Sequence, residues 1–155
     1  MSEADDDDLL AQAIGWVVIQ AGRAEGTAGE LVMLHREPHV SVKRSGWHES
    51  GEPLAEALTD LADRLHSDEL RTLADQLRKA TERRHDVVHG EWIAAPGVGV
   101  VTFRRQRPKV APDGGYSGRQ WTIEGLQRLA KEYRAIECGL ANLVSDFMGL
   151  PRSTS

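Results

Sequence analysis

Two residue types suited to phosphodiester chemistry lie five positions apart near the middle of the chain. They are Arg84 and His89, in the stretch Arg84-His85-Asp86-Val87-Val88-His89-Gly90. Histidine titrates near neutral pH and can accept or donate a proton during a reaction. Arginine keeps its charge and offers a planar fork of donors that matches phosphoryl oxygens. The pair could therefore hold a phosphate group and transfer a proton beside it.

Arg84 also interrupts the apolar face of its own helix. The residues before it on that face keep helical spacing and are Leu70, Leu73, Leu77 and Ala80. The next position on the same face is Arg84. Because a guanidinium is costly to bury without a partner, this placement predicts that Arg84 either holds an anion or faces a second subunit.

Hydrophobic spacing predicts four main helices. They run over about 7–35, 54–65 and 68–89, and from a cap at Thr122 to a stop at Pro151. Ser67, followed by acidic residues, is the predicted cap of the third helix. The Arg84 to His89 stretch therefore lies at the end of the third predicted helix.

The region between the third and last helices is predicted to be partly extended. Two β-rich runs, 92–94 and 98–103, flank Pro96-Gly97 and predict a hairpin. Residues 104–120 are basic and then rich in Pro and Gly, which predicts a mobile loop. The predicted fold class is all-α, a four-to-five-helix bundle with long N- and C-terminal helices and a small β-hairpin inserted before the last helix. One domain is expected over 1–150, with a disordered tail at 151–155.

Composition limits the class of protein. At 155 residues, 40% hydrophobic and 28% charged, the chain suits one soluble globular domain. Its single cysteine, Cys138, excludes an internal disulfide framework. The acidic first residues and the lack of an apolar run of about 20 residues favour a cytoplasmic protein with no membrane partner. The sequence has no P-loop, dinucleotide fingerprint, nucleophile elbow or CxxC pair, so those enzyme classes have no support.

Charge is distributed unevenly along the chain. The net charge is -5, which argues against a uniformly basic nucleic-acid binder. Residues 71–119 nevertheless hold ten Lys or Arg against five Asp or Glu. Positive charge is therefore concentrated around the Arg84 to His89 stretch.

The motif resembles that of the HEPN superfamily of helical domains. The signature of that superfamily is an arginine followed after four to six residues by a histidine, with Asn, Asp or His favoured directly after the arginine. Arg84, His85 and His89 match it. The specific match covers about nine residues, and the layout of the bundle over roughly 7–148 is compatible with it.

This resemblance implies a metal-independent endoribonuclease that works as a homodimer without a cofactor. His89 would activate the ribose 2′-hydroxyl or protonate the leaving oxygen, Arg84 would stabilise the phosphate, and His85 and Asp86 would support the geometry. The products would be a 2′,3′-cyclic phosphate and a 5′-hydroxyl. Such small nucleases often serve as toxins or defence effectors, controlled by an antitoxin or another partner protein.

Helix geometry places a condition on this reading. Arg84 and His89 project about 140° apart on an ideal helix. One straight helix therefore cannot aim both side chains at one phosphate. The site requires either that the helix ends or distorts before Gly90, or that a dimer mate completes it.

Further RNA contacts are predicted from basic residues near the motif. Their side chains would bind phosphates and add salt-dependent affinity without reading sequence. They are Arg83, Arg104, Arg105, Arg107 and Lys109.

Two other readings remain open. His85 and His89, with Asp86 between them, are similar to the HExxH zinc helix, although no third ligand follows at a convincing spacing. Alternatively, the bundle is a non-catalytic dimerisation or regulatory module. In that case Arg84 would pair with a carboxylate, for which the candidates are Glu82, Asp86, Glu91 and Glu137.

Overall fold

Four helices and a three-stranded sheet make up the described part of the chain. The computed structural model describes residues 3–35, 50–95, 99–105 and 115–152. The elements in chain order are α1 (Glu3–Leu34), α2 (Glu52–Leu65), α3 (Asp68–His89), β1 (Glu91–Ala95), β2 (Gly99–Arg105), β3 (Tyr116–Trp121) and α4 (Ile123–Met148). The predicted helical bundle, with long first and last helices and extended structure before the last, is confirmed.

The helix starts depend on the predicted caps. The side-chain oxygens of Ser67 and Thr122 accept backbone N–H groups three residues on, at 3.2 and 2.9 Å. The end of α4 differs from the prediction. It ends at Gly149, which has the left-handed φ of 68° that favours glycine, and not at Pro151.

The core is built from one face of each helix. Its largest fully buried side chains come from all four helices and include Val17, Leu31, Leu54, Leu58, Leu70, Leu77, Leu126, Tyr133 and Leu140. α3 runs antiparallel to α4, because Arg83 late in α3 pairs with Glu132, whereas Glu69 at its start pairs with Arg152 beyond α4. None of the described helices combines the length and apolarity that a membrane crossing would need.

The sheet has one strand more than the sequence predicted. β1 and β2 form the expected antiparallel hairpin, and β3 pairs antiparallel with β2. The prediction of a mobile loop over 104–120 is therefore wrong for 104–105 and 116–120, while 106–114 lie outside the described residues. β3 is stabilised by contacts distant in sequence. Trp121 is buried, and its indole N–H donates to the Thr102 hydroxyl oxygen at 2.9 Å.

A close approach at Gly90 joins the sheet to α3. Gly90 is extended, at φ -77° and ψ 147°, so its role is not to supply a left-handed turn. A Cβ added there would lie 2.7 Å from the Thr102 Cβ and closer still to the Asp86 carbonyl oxygen. The indole N–H of Trp92 also donates to the Val87 carbonyl at 3.0 Å. The end of α3 is thus held against β1 and β2.

We expect Gly90→Ala to lower the free energy of unfolding by about 1–3 kcal/mol, because the added methyl group has no room. Gly22→Ala is the matched control, since a Cβ there meets nothing within 4 Å. Inside an exposed stretch of α1, that change should be neutral or slightly stabilising. Urea denaturation of the two variants measures the difference, and an equal effect of both changes would contradict the close approach.

Candidate functional site

Arg84 lies against α1 and forms an ion pair within the chain. Its Nη2 donates to Oε1 of Glu25 at 2.7 Å, and the two side chains are only 23% and 13% exposed. The same Oε1 accepts the backbone N–H of Gly51, which precedes α2, at 3.1 Å. The carboxylate that meets Arg84 is therefore none of the four proposed from the sequence. One side chain connects α3 to α1 and to the start of α2.

Polar groups without good partners lie beside this ion pair. The Tyr133 hydroxyl is near Thr81 and Arg84, and the Tyr133 side chain is fully buried. Burial raises the pKa of Tyr133, and the neighbouring Thr81 and Arg84 oppose that rise. Within the described part of the chain, the Tyr133 hydroxyl, the Thr81 hydroxyl and the Arg84 Nε form no hydrogen bond of good geometry. The hydrogen bond from Arg84 to Glu25 therefore leaves the Arg84 Nε buried and without a partner among the described residues.

His89 is exposed at the last position of α3, one turn beyond His85. The two imidazole rings are in contact, with centroids 4.5 Å apart. α3 remains helical through His89, so the expected separation of about 140° between Arg84 and His89 applies. The structure brings together the two histidines, and it directs Arg84 towards the neighbouring helices instead.

Asp86 is buried and faces the sheet. Its Oδ2 accepts from the Arg119 Nε at 2.8 Å, and its Oδ1 lies 3.4 Å from the Arg104 Nε. The Arg119 guanidinium also lies over the Trp121 ring, 5.8 Å from its centroid. Asp86 therefore ties α3 to β2 and β3. No local pattern indicates Arg119 as the partner of Asp86, because the two residues are 33 positions apart.

The residues predicted to bind RNA differ in how far their positive charges are already paired with carboxylates of the chain. Arg83 makes two hydrogen bonds to the Glu132 carboxylate, and Arg104 pairs with Asp86, so part of each charge is neutralised within the chain. Arg105 is exposed and forms no ion pair with a described residue. The remaining two, Arg107 and Lys109, lie outside the described residues.

A zinc site at the two histidines finds no third ligand nearby. The described residues include no group of three His, Cys, Asp or Glu side chains that could hold a metal ion. Asp86, the acidic residue between the histidines, is occupied by arginines of the sheet. His39 and His48 lie outside the described residues.

A cleft between α1 and α4 was not anticipated from the sequence. It has a volume of about 420 Å³ and is lined by Trp16, Gln20, Arg23 and Arg134, among others. The Gln20 side chain is buried, and its Oε1 has no hydrogen-bond partner in the described structure. No residue of the Arg84 to His89 motif lines this cleft. It is therefore separate from the candidate catalytic groups.

Comparison of this chain with protein-family models, with curated proteins and with solved structures found no match. The resemblance of the motif to the HEPN superfamily therefore depends on the motif residues and on their position at the end of α3.

We expect Glu25→Gln to lower the free energy of unfolding by about 1–3 kcal/mol, because Arg84 would keep its charge in a half-buried position without an opposite charge. Asp63→Asn is the matched control, since Asp63 pairs with Arg71 at 2.6 Å but both side chains are at least half exposed. Loss of such a surface pair should cost much less, because both side chains remain solvated. Combining Glu25→Gln with Arg84→Met should recover stability. Equal losses for Glu25→Gln and Asp63→Asn would show that the ion pair has no structural importance.

Proposed function

We propose that this protein is a metal-independent, HEPN-like endoribonuclease that acts as a homodimer, with Arg84 and His89 as its catalytic pair. The observation that carries the proposal is the pair of contacting imidazoles at the exposed end of α3, little more than one helical turn beyond Arg84. A biological role as a toxin or defence effector, with an antitoxin or other partner protein, follows from the resemblance alone.

The reaction uses the nucleophile that RNA itself supplies. The ribose 2′-oxygen attacks phosphorus, the bond from phosphorus to the 5′-oxygen breaks, and a 2′,3′-cyclic phosphate and a 5′-hydroxyl form. His89 takes the proton from the 2′-hydroxyl or gives one to the leaving 5′-oxygen. Arg84 donates to the phosphoryl oxygens as negative charge grows in the transition state. His85, in ring contact with His89, fixes the orientation of that imidazole.

The geometry of α3 favours a site built from two copies of the chain. Because the helix is unbroken through His89, Arg84 and His89 of one chain diverge. In the proposed dimer, Arg84 of one chain meets His89 of the other, which gives two composite sites. Exposed apolar residues on α1 support self-association, since Trp16, Val18 and Ile19 are 46–49% exposed. The adjoining cleft carries both signs of charge, from Arg23, Arg134 and Glu137, which suits a two-fold interface. Because no motif residue lines the cleft, it supports self-association and not the composite site itself.

A non-catalytic dimerisation or regulatory module is the second candidate. The ion pair between Arg84 and Glu25 favours it, because a structural partner already explains a charged residue on the apolar face of α3. The two candidates differ in what they demand of Arg84. A structural ion pair needs only a positive charge, whereas catalysis needs the planar fork of donors.

Arg84→Lys and His89→Asn distinguish the two candidates. The lysine ammonium can still pair with Glu25, so we expect near-native stability together with cleavage of single-stranded RNA slowed about 100-fold or more. His89→Asn should be equally impaired. His66→Asn is the matched control, because His66 is an exposed histidine at the end of α2 with φ 50°, a conformation that asparagine tolerates.

Cleavage of a labelled RNA, with a chelator present throughout, is the measurement. If both variants cleave the RNA as fast as the wild-type protein does, the catalytic assignment is refuted. A stable wild-type dimer that cleaves no RNA would favour the regulatory module. Cleavage that disappears only when the chelator is added would favour a metal site.

Mixing the inactive variants tests the composite site. A heterodimer of Arg84→Lys and His89→Asn chains contains one site with an intact Arg84 and an intact His89. After the subunits have exchanged freely, about a quarter of the wild-type activity should return, since half of the dimers regain one of two sites. If no activity returns although heterodimers form, the two groups do not act across a dimer.

A further inference from the structure

One face of the sheet is turned away from the helices. Side chains alternate along each strand, and Thr102 and Trp121 are buried on the side that contacts α3 and the core. Neighbouring positions therefore point the other way. The residues on that second side, here named the outer face, lie opposite each other across the strands as three sets: Glu91, Phe103 and Gly118; Ile93, Val101 and Gln120; and Arg105 with Tyr116. Val101, on the central strand, is buried, whereas the other residues of these sets are exposed.

The outer face exposes large apolar and aromatic side chains. Phe103 is 39% exposed, Ile93 42% and Tyr116 70%. Single exposed apolar residues are ordinary on protein surfaces, but three of them on one face of a small sheet indicate a binding surface.

The Phe103 ring packs over a glycine on the neighbouring strand. A Cβ built at Gly118 would lie 2.9 Å from one ring carbon and 3.3 Å from the next, so the ring lies across Gly118. A side chain at this position would shift the ring from its place.

A positive charge without an ion-pair partner among the described residues lies beside the aromatic side chains. Arg105 faces Tyr116 in the register of β2 and β3, and it forms no ion pair with a described residue. By contrast, Arg104 and Arg119 on the opposite side of the sheet share Asp86. A purely apolar partner would bury the Arg105 charge without compensation, whereas a phosphate would neutralise it.

We propose that the outer face binds single-stranded RNA, with bases stacked on Phe103 and Tyr116 and a phosphate bound by Arg105. Exposed aromatic rings next to cationic side chains are the combination that single strands require, because every base has a flat face and every nucleotide a charge. The inference deepens the proposed nuclease function and rests on it for the choice of RNA. Glu91, which faces Phe103, is separated from His89 only by Gly90, so a bound strand passes close to the end of α3.

The test measures binding separately from cleavage. A short fluorescent single-stranded RNA is titrated by anisotropy with the full chain carrying His89→Asn, so that the probe stays intact. Phe103→Ala and Tyr116→Ala should each weaken binding roughly 5- to 150-fold, the range for loss of one stacked base. Tyr116→Phe should keep the affinity within about twofold, since the ring remains. Arg105→Gln should reduce the slope of log affinity against log salt concentration by about one, the change expected when one phosphate contact is lost.

Ile93→Ala separates stacking from general apolar contact. It removes an exposed apolar side chain from the same face but no ring. The proposal requires that Ile93→Ala bind RNA much more tightly than Tyr116→Ala. It is overturned if Phe103→Ala and Tyr116→Ala bind like Tyr116→Phe, or if they dissociate the protein dimer while leaving the affinity for RNA unchanged.

The outcomes distinguish this proposal from the nuclease proposal. If the wild-type protein fails to cleave RNA yet binding depends on the two rings, the nuclease function is refuted and the stacking surface stands. If the wild-type protein cleaves RNA but the two ring variants bind it normally, the stacking surface alone is refuted.

Discussion

The ion pair between Arg84 and Glu25 is the interaction around which the bundle is arranged. A guanidinium on the apolar face of α3 must meet an opposite charge, because burial without one is costly. Glu25 supplies that charge at 2.7 Å and also binds the backbone N–H of Gly51. One carboxylate on α1 therefore contacts both α3 and the residue that precedes α2. Arg84, the arginine of the candidate motif, is at once a structural anchor and the proposed phosphate ligand.

Successive motif residues contact different parts of the molecule, because each residue along a helix is rotated by about 100° from the one before it. Arg84 faces α1, Asp86 faces the arginines of the sheet, and His85 and His89 meet at the exposed end of α3. The same stretch thus fixes the position of the sheet and presents the imidazoles. A catalytic role in this arrangement depends on a second chain, whereas the structural roles of Arg84 and Asp86 are complete within one.

Features with local causes were predictable from the sequence. Apolar spacing predicted all four helices, and Ser67 and Thr122 cap α3 and α4 as expected. β3 was missed because its composition is typical of a loop. It forms through pairing with β2 and through burial of Trp121, neither of which is visible within a short window of sequence. Glycine is needed at position 90 because Thr102 lies too close for a side chain, a contact that no local pattern indicates.

The sequence by itself determined that α3 carries a permanent charge, Arg84, on a helical face whose other residues are apolar, and that this charge needs a partner. It also determined that two histidines share one helical face, since four residues make about one turn. Only the tertiary structure decided that the partner is Glu25, 59 positions away, and that Arg119 reaches Asp86 across the sheet. Such choices depend on how helices and strands pack, because several carboxylates of equal chemistry were available and only packing brings one of them within reach.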